Sequence, residues 1–302
     1  MKSMSRIVHL SLRQVRERAR RAAVIRSDPL AYEFYYRMIA GGYDPSAHID
    51  VLPEHRIIYL CVPKSASSRI KMSLSALLGR NLSTPEAVHK RALSGLKAPH
   101  HVGLSQFYRL ATDRETLRFS FVRNPYARLV SCWANKFRNK PLVAGDSFVD
   151  QYLAARRDVD PALPAGFGQT LSFSDFVRFV AEPAARNLNA HWQCQHELID
   201  RPGIALDFIG RVELFEQDFE RVFDHAGADE AVRGHGRHPV NVSRRQPWED
   251  YYTSELAALV YRAYEADFDR FRYPCALTQF CSPQHYESSK LRNTGTNGPL
   301  LA

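Results

Sequence analysis

Residues 56 to 74 read RIIYLCVPKSASSRIKMSL: an apolar run stops at Pro63, a lysine and small hydroxyl residues follow, and basic, helix-like sequence begins. The run is rich in Ile, Val and Tyr and is bounded by a breaker, which predicts a strand. SSRIKMSLSALLG, residues 67 to 79, has helical periodicity. A strand that turns at Pro63 into a helix starting near Ser67 or Ser68 brings Lys64 and the amides of residues 65 to 69 toward one point. The open N–H groups of a helix N-terminus, with a lysine and hydroxyls, suit phosphate or sulfate. The usual nucleotide loop, GxxxxGK[ST], is absent, and no glycine lies between Pro63 and Gly79. Taken alone, the pattern is equally that of a surface lysine after a strand.

Further strand-like runs are LRFSFVR (117–123) and LDFIGRV (206–212). Helical periodicity recurs in residues 124–137, 172–182, 214–227 and 253–271, with Ser172 or Ser174 and Thr253 as starting caps. Strands alternating with helices imply a mainly parallel sheet covered on both faces, whose ligands bind where strands end and helices begin.

A second stretch falls at such a place. In FSFVRNPYARLVSCWANKF (119–137) a strand ends in Arg123, and Pro125 sits in the first helical turn, where its missing N–H costs nothing. Arg123 and Ser131 are eight residues apart, about two turns of helix, so both can approach one ligand. Arg128 and Lys136 share that spacing on another stripe and read as a solvated face. The plain alternative for Arg123 is a structural ion pair.

The 302 residues, 45% apolar and 24% charged, suffice for one large core or two modest ones. No apolar run is long enough to span a membrane and no secretory signal opens the chain, so a cytoplasmic protein is expected. The five cysteines, Cys61, Cys132, Cys194, Cys275 and Cys281, are scattered and form no zinc pattern, so neither a disulfide framework nor a metal is expected. Most of the formal net charge of +9 sits in the head, where Lys2, Arg6, Arg13, Arg16, Arg18, Arg20, Arg21 and Arg26 face only Glu17. Leu12, Val15, Ala19 and Ala22 make that head a basic amphipathic helix. It reads either as a solvated terminal helix or as a weak, salt-sensitive contact with an anionic membrane surface. The body has no basic stripe with interleaved aromatics, so nucleic acid is not an expected partner. The expected organisation is an N-terminal helical extension over 1–45, a main domain over 50–275 and a flexible tail over 282–302. Residues 140–170 are read as a further flexible segment.

Taken together, VPKSASSRIKMSL and FVRNPYARLVSCWANKF resemble the carbohydrate sulfotransferases of sulfotransferase family 2. These include the chondroitin and dermatan 4-O- and heparan 2-O-sulfotransferases and their bacterial relatives. NAHWQCQHELI (189–199), DFIGRVELFEQDF (207–219) and residues 240–274 agree, so the resemblance runs from Arg56 to Pro274. It implies an α/β, P-loop-NTPase-like three-layer sandwich with a central mainly parallel sheet flanked by helices. It also implies 3′-phosphoadenosine 5′-phosphosulfate (PAPS) as donor, its 3′,5′-bisphosphate (PAP) as product, and a glycan acceptor. By the family pattern Lys64 reaches the phosphosulfate, Ser65, Ala66, Ser67, Ser68 and Arg69 form the 5′-phosphate loop, and Arg123 and Ser131 bind the 3′-phosphate. Sulfuryl transfer resembles loose phosphoryl transfer, in which the protein positions the reactants and neutralises the leaving oxygen, a role for Lys64 without a metal.

The acceptor hydroxyl needs a base, best supplied near neutral pH by histidine. Heparan-type relatives place theirs in the interval holding KAPHHVGLSQF, which points to His101 and then His100, each otherwise a loop or helix-capping residue. His191 is the rival. With Trp192 it falls where the family lines the acceptor side, or else forms a core His–Trp pair. Arg244 and Arg245 fall in a loop suited to closing over the nucleotide. Trp133, Phe137, Arg138, Lys140 and Trp248 suit sugar stacking and pairing or ordinary core and surface positions. The chain departs from the Golgi enzymes by its basic head and by carrying only Cys194 after the HW pair, which points to a bacterial-type member acting before export. A kinase-like phosphotransferase would also place phosphate at Lys64, but it should carry the glycine-rich loop and a magnesium carboxylate. An inactive nucleotide- or glycan-binding protein should have lost the lysine or arginine.

Overall fold

The structure is a computed structural model that describes residues 28–84, 86–143, 145–159, 170–237 and 246–275. In chain order the elements that frame the site are α1 (Pro29–Ala40), β1 (Ile49–Leu52), β2 (Ile57–Leu60), α2 (Ser67–Leu77), α3 (Leu104–Thr112), β3 (Leu117–Val122), α4 (Pro125–Lys136), α5 (Ser147–Val159), α6 (Phe173–Ala181), α7 (Gln195–Asp200), β4 (Phe208–Arg211), α8 (Phe215–Ala226), α9 (Glu230–Arg237) and α10 (Ser254–Arg270). Strands β1 to β4 lie side by side in that order. β2, β3 and β4 are parallel, and β1 is antiparallel to β2 with Ile49 opposite Leu60. The expected α/β architecture, with a mainly parallel sheet flanked by helices, is thus observed. Parallel neighbours end at one edge, so the loops after β2 and β3 emerge side by side.

The side-chain alternation of the strands divides the interior. Ile58, Leu60 and Val122 face a core shared with α3, α4, α6 and α10, whereas Ile57, Tyr59, Phe119 and Phe121 face α2 and α8. Both faces of the central strands are therefore buried, which is why they read as nearly continuous apolar runs. On the second face Phe119 stacks between Tyr59 at 5.1 Å and Phe208 at 5.5 Å. Opposite Phe121 stands Gly210, where a Cβ would lie 2.5 Å from the phenyl ring, so the aromatic layer requires glycine there. The expected caps form: Ser172 accepts the N–H of Asp175 and Thr253 that of Leu256.

One expectation changes and one strand is added. The antiparallel strand β1 was not anticipated, because Asp50 interrupts IDVL. Its carboxylate is nevertheless buried, paired with Lys71 of α2 at 3.0 Å and Arg91 at 2.7 Å. Residues 140–170, expected to be flexible, contain α5, which buries Val149 and Tyr152. Residues 28–45 of the expected N-terminal extension include α1, which packs on α3. The basic head, residues 160–169 and the tail from 282 lie outside the described residues. Among the described residues no helix is long and apolar enough to cross a membrane.

Candidate active site

The crossing from β2 to α2 makes a tight loop without glycine. Lys64 has φ 69° and Ala66 φ 57°, left-handed conformations that cost non-glycine residues roughly 1–2 kcal/mol each. Alternating handedness turns successive amides to one side and makes a concave nest for an anion. Ala66 precedes α2, and its methyl side chain makes no capping bond to the first turn. Lys64, Ser67 and Ser68 are half-buried at this mouth. Ser65 is not at the mouth: it is fully buried, its N–H bonds to the Val62 carbonyl and its hydroxyl donates to Gln195 Oε1 at 3.1 Å. Arg69 leans toward α8, its guanidinium 3.9 Å over the Phe215 ring and paired with Glu216 at 2.5 Å. The loop assigned to the 5′-phosphate is therefore built by Ser65 and Ala66, and lined by Lys64, Ser67, Ser68 and the helix amides.

The crossing from β3 to α4 satisfies itself. Asn124 caps the helix by accepting from Tyr126 N–H at 2.9 Å and from Ala127 N–H, and Pro125 occupies the first position as expected. What this crossing presents is side chains. Arg123 is half-buried, and its Nη1 reaches the Lys64 carbonyl at 3.5 Å. Ser131 is half-buried on α4. Its neighbour Cys132 has its thiol raised to about 11, by burial against the opposing pull of Lys64, Arg128 and Lys136. The structure thus brings Lys64 and Arg123 together at one sheet edge, with Ser131 two turns into the helix that follows.

Two buried side chains hold this edge together. Gln195, fully buried at the start of α7, accepts the Arg123 N–H at 2.9 Å and donates to the Arg123 carbonyl at 2.8 Å, besides binding Ser65. Arg128 corrects an expectation: it is not on a solvated face but 1% exposed. Its guanidinium donates to the carbonyls of Pro63 at 3.0 Å, Gln193 at 2.7 Å and Ala190 at 2.8 Å. Burial lowers its pKa, while the Asp267 carboxylate favours its charge. Lys136 is half-buried, with its ammonium 3.9 Å over Phe148. Arg128 and Lys136 stand out in the sequence only by their eight-residue spacing beside a binding motif, and Gln195 only by falling within the 189–199 stretch of the resemblance.

The histidines differ in which nitrogen is available. His101 is exposed, and its Nδ1 accepts the Ala98 N–H at 3.3 Å, the helix-capping role foreseen as the alternative. A neutral ring that accepts at Nδ1 carries its proton on Nε2 and has no lone pair left for a substrate. His100, also exposed, lies 3.2 Å from the Ser46 hydroxyl through Nδ1, and burial and the neighbouring His101 lower its pKa. His191 has the opposite arrangement. Asn189 Oδ1 accepts the His191 backbone N–H at 3.0 Å, which identifies that atom as oxygen, so the His191 Nδ1 at 2.8 Å must be the donor. Its Nε2 then carries the lone pair. Burial, then the charges of Lys136, Lys64 and Arg128, push this imidazole down to about 2, placing it in the same positive field as the loop. Trp192 is core: fully buried, it donates to the Ala185 carbonyl at 2.9 Å and packs on Phe137, Phe148, Phe176 and Phe179. Trp133 and Phe137 are also buried. Arg244 and Arg245 lie outside the described residues.

Cys194, His196 and Asp267 bring their ligand-type atoms within 4.8 Å of one another. The Asp267 carboxylate is already engaged there, accepting the N–H groups of Gln195 at 2.8 Å and His196 at 2.9 Å, and the His196 ring at 2.7 Å. It serves the N-terminus of α7, as an anionic cap does.

Residues 47–274 match the profile of the sulfotransferase family. Over 245 residues the chain is 28% identical to carbohydrate sulfotransferase 11 of Mus musculus, covering 75% of this chain and 67% of that protein. It is 30% identical over 258 residues to carbohydrate sulfotransferase 14 of Danio rerio, covering 78% and 65% respectively. With carbohydrate sulfotransferase 10 of Mus musculus the identity is 26% over 249 residues, covering 74% and 66%. The chain thus spans about two thirds of the length of these relatives. No solved structure matches it significantly.

Proposed function

The chain belongs to the sulfotransferase family, and from that premise we propose that it transfers a sulfuryl group from PAPS to a hydroxyl of a carbohydrate. The observation that carries this reading is the pairing of two different anion-binding devices at one sheet edge. One is the strained, uncapped loop of Lys64, and the other is Arg123, whose guanidinium reaches the Lys64 carbonyl. A donor with a 5′-phosphosulfate and a 3′-phosphate needs two anion sites at a fixed separation. The carbohydrate acceptor rests on the relatives, each named a carbohydrate sulfotransferase.

In the proposed reaction the first-turn amides of α2, with Ser67 and Ser68, hold the 5′-phosphate in the manner of a P-loop. Arg123 and Ser131 take the 3′-phosphate. The acceptor oxygen attacks sulfur in line, a new S–O bond forms, and the bond from sulfur to the 5′-phosphate oxygen breaks. Lys64 neutralises the charge developing on that oxygen, so PAP leaves without a metal. The hydroxyl proton passes to a histidine, for which His191 is preferred because the Asn189 bond leaves its Nε2 as the acceptor, whereas His101 spends Nδ1 on the Ala98 N–H. With its pKa held at about 2, His191 acts only once the ligand's charge has raised it. Bound phosphates raise the His191 pKa by opposing the cations that lower it.

Calorimetry with PAP, adenosine 5′-phosphate and ATP, on the wild type and on Arg123→Ala, tests the reading. A strong preference for PAP that disappears in the variant supports it. No preference over ATP overturns it in favour of a kinase-like phosphotransferase.

A further inference from the structure

We infer that Gln195 is a positioning residue that fixes the distance between the two phosphate sites, an inference that rests on the donor reading above. A single fully buried side chain uses every polar group it has on the two motifs. Oε1 receives Ser65 Oγ–H at 3.1 Å and Arg123 N–H at 2.9 Å, and Nε2 donates to the Arg123 carbonyl at 2.8 Å. These partners fix the amide orientation, because a backbone N–H requires the oxygen and a carbonyl requires the nitrogen.

Gripping both the N–H and the C=O of Arg123 sets the backbone from which its guanidinium departs. Holding Ser65 sets the loop that presents Lys64, whose carbonyl Arg123 also contacts at 3.5 Å. The grip is itself anchored, since Gln195 N–H donates to Asp267 Oδ2 at 2.8 Å, and Asp267 is fully buried in α10. Ser65, past the end of β2, and Arg123, directly after β3, are therefore joined by a crosspiece from a distant helix, beyond the ladder that pairs β2 with β3. A nucleotide carrying phosphates at both ends senses the length of that crosspiece, and misplacement by about 1 Å costs such a site up to roughly a hundredfold. A glutamine buried only to satisfy the backbone would influence folding, with no preference for one phosphate of the ligand.

The test uses the full chain and titrates PAP and adenosine 5′-phosphate against the wild type, Gln195→Met, Arg123→Ala and the double variant, with a thermal melt of each. Gln195→Met keeps the side-chain volume and removes all three bonds. The expected result is a cooperative melt and a loss of roughly tenfold or more in the preference for PAP. In the Arg123→Ala background the same change should alter the preference for PAP over adenosine 5′-phosphate less than about threefold, because the residue it acts through is gone, leaving only the loss of the Ser65 bond, which both nucleotides share. Ser65→Ala, which leaves both bonds to Arg123, should weaken both nucleotides alike and keep the preference. Unchanged preference in Gln195→Met, or the same loss with and without Arg123, overturns the inference. If Gln195→Met does not melt cooperatively, Gln195→Glu takes its place: it retains both accepted bonds and turns an acceptor toward the Arg123 carbonyl, and unaltered preference there is equally fatal. A wild type that binds PAP no better than adenosine 5′-phosphate removes the donor reading itself, and this inference with it.

Discussion

The two strand-to-helix crossings at the edge of the sheet solve one problem in opposite ways. After β2 the chain takes two left-handed non-glycine residues and leaves α2 without a side-chain cap, so the backbone itself faces the site. After β3 the turn is relaxed, Asn124 caps α4, and the site receives side chains, Arg123 and Ser131, in place of amides. A backbone nest grips an oxyanion at short range by shape, whereas an arginine reads the presence of a second charge farther out. One ligand with two unlike anionic ends fits such a pair better than it would fit two copies of either.

The largest effect should come from breaking what holds the crossings at one level. Arg128→Met leaves the carbonyls of Pro63, Gln193 and Ala190 without their donor, and about 3 kcal/mol or more should be lost from the unfolding free energy in a denaturant titration. Arg123→Ala should spare stability, because Gln195 binds its backbone, and cost about 2–3 kcal/mol of PAP affinity, close to a hundredfold.

Acid should act through His191. Its folded value of about 2 lies below the usual 6.5, so the unfolded chain binds the extra proton first. Stability from this group is complete above about pH 6.5 and falls as pH drops toward the folded value, by at most about 1.4 kcal/mol per pH unit. Melting curves from pH 7 to 4.5 should therefore descend more steeply for the wild type than for His191→Gln. Equal slopes would mean that burial and the neighbouring cations do not hold the His191 pKa down.

Asn124→Ala, which makes the second crossing as uncapped as the first, should lower the unfolding free energy by about 1 kcal/mol. The smallest effect, and the one that sharpens the contrast most, is Ala66→Gly. Relief of the left-handed strain should raise stability by about 0.5 kcal/mol or leave it level, read from the same titration, whereas glycine at an ordinary helix start brings no such relief.

Sequence showed Lys64 and Arg123 because each is a basic residue closing an apolar run, a local pattern that strand alternation makes visible. It did not show Gln195, which meets Ser65 across 130 residues, a distance no periodicity reports. Arg128 was misread because arginine at helical spacing is usually solvated, and only three converging carbonyls reverse that. β1 was hidden by Asp50, whose buried charge is compensated by Lys71 and Arg91 from other segments. Which of its two readings His101 takes was equally hidden, since it depends on a single backbone N–H, that of Ala98, which its Nδ1 accepts. Those contacts exist only after the chain has folded.

The absence of glycine from Pro63 to Leu78 has a kinetic side. A glycine-rich phosphate loop samples many shapes and must be frozen by its ligand, at an entropic cost for each residue ordered. Here side chains already narrow the backbone's choices, and Ser65 and Arg128 hold the chosen one. Association with the nucleotide should then proceed in a single fast phase limited by encounter, with no slower step of loop closure behind it.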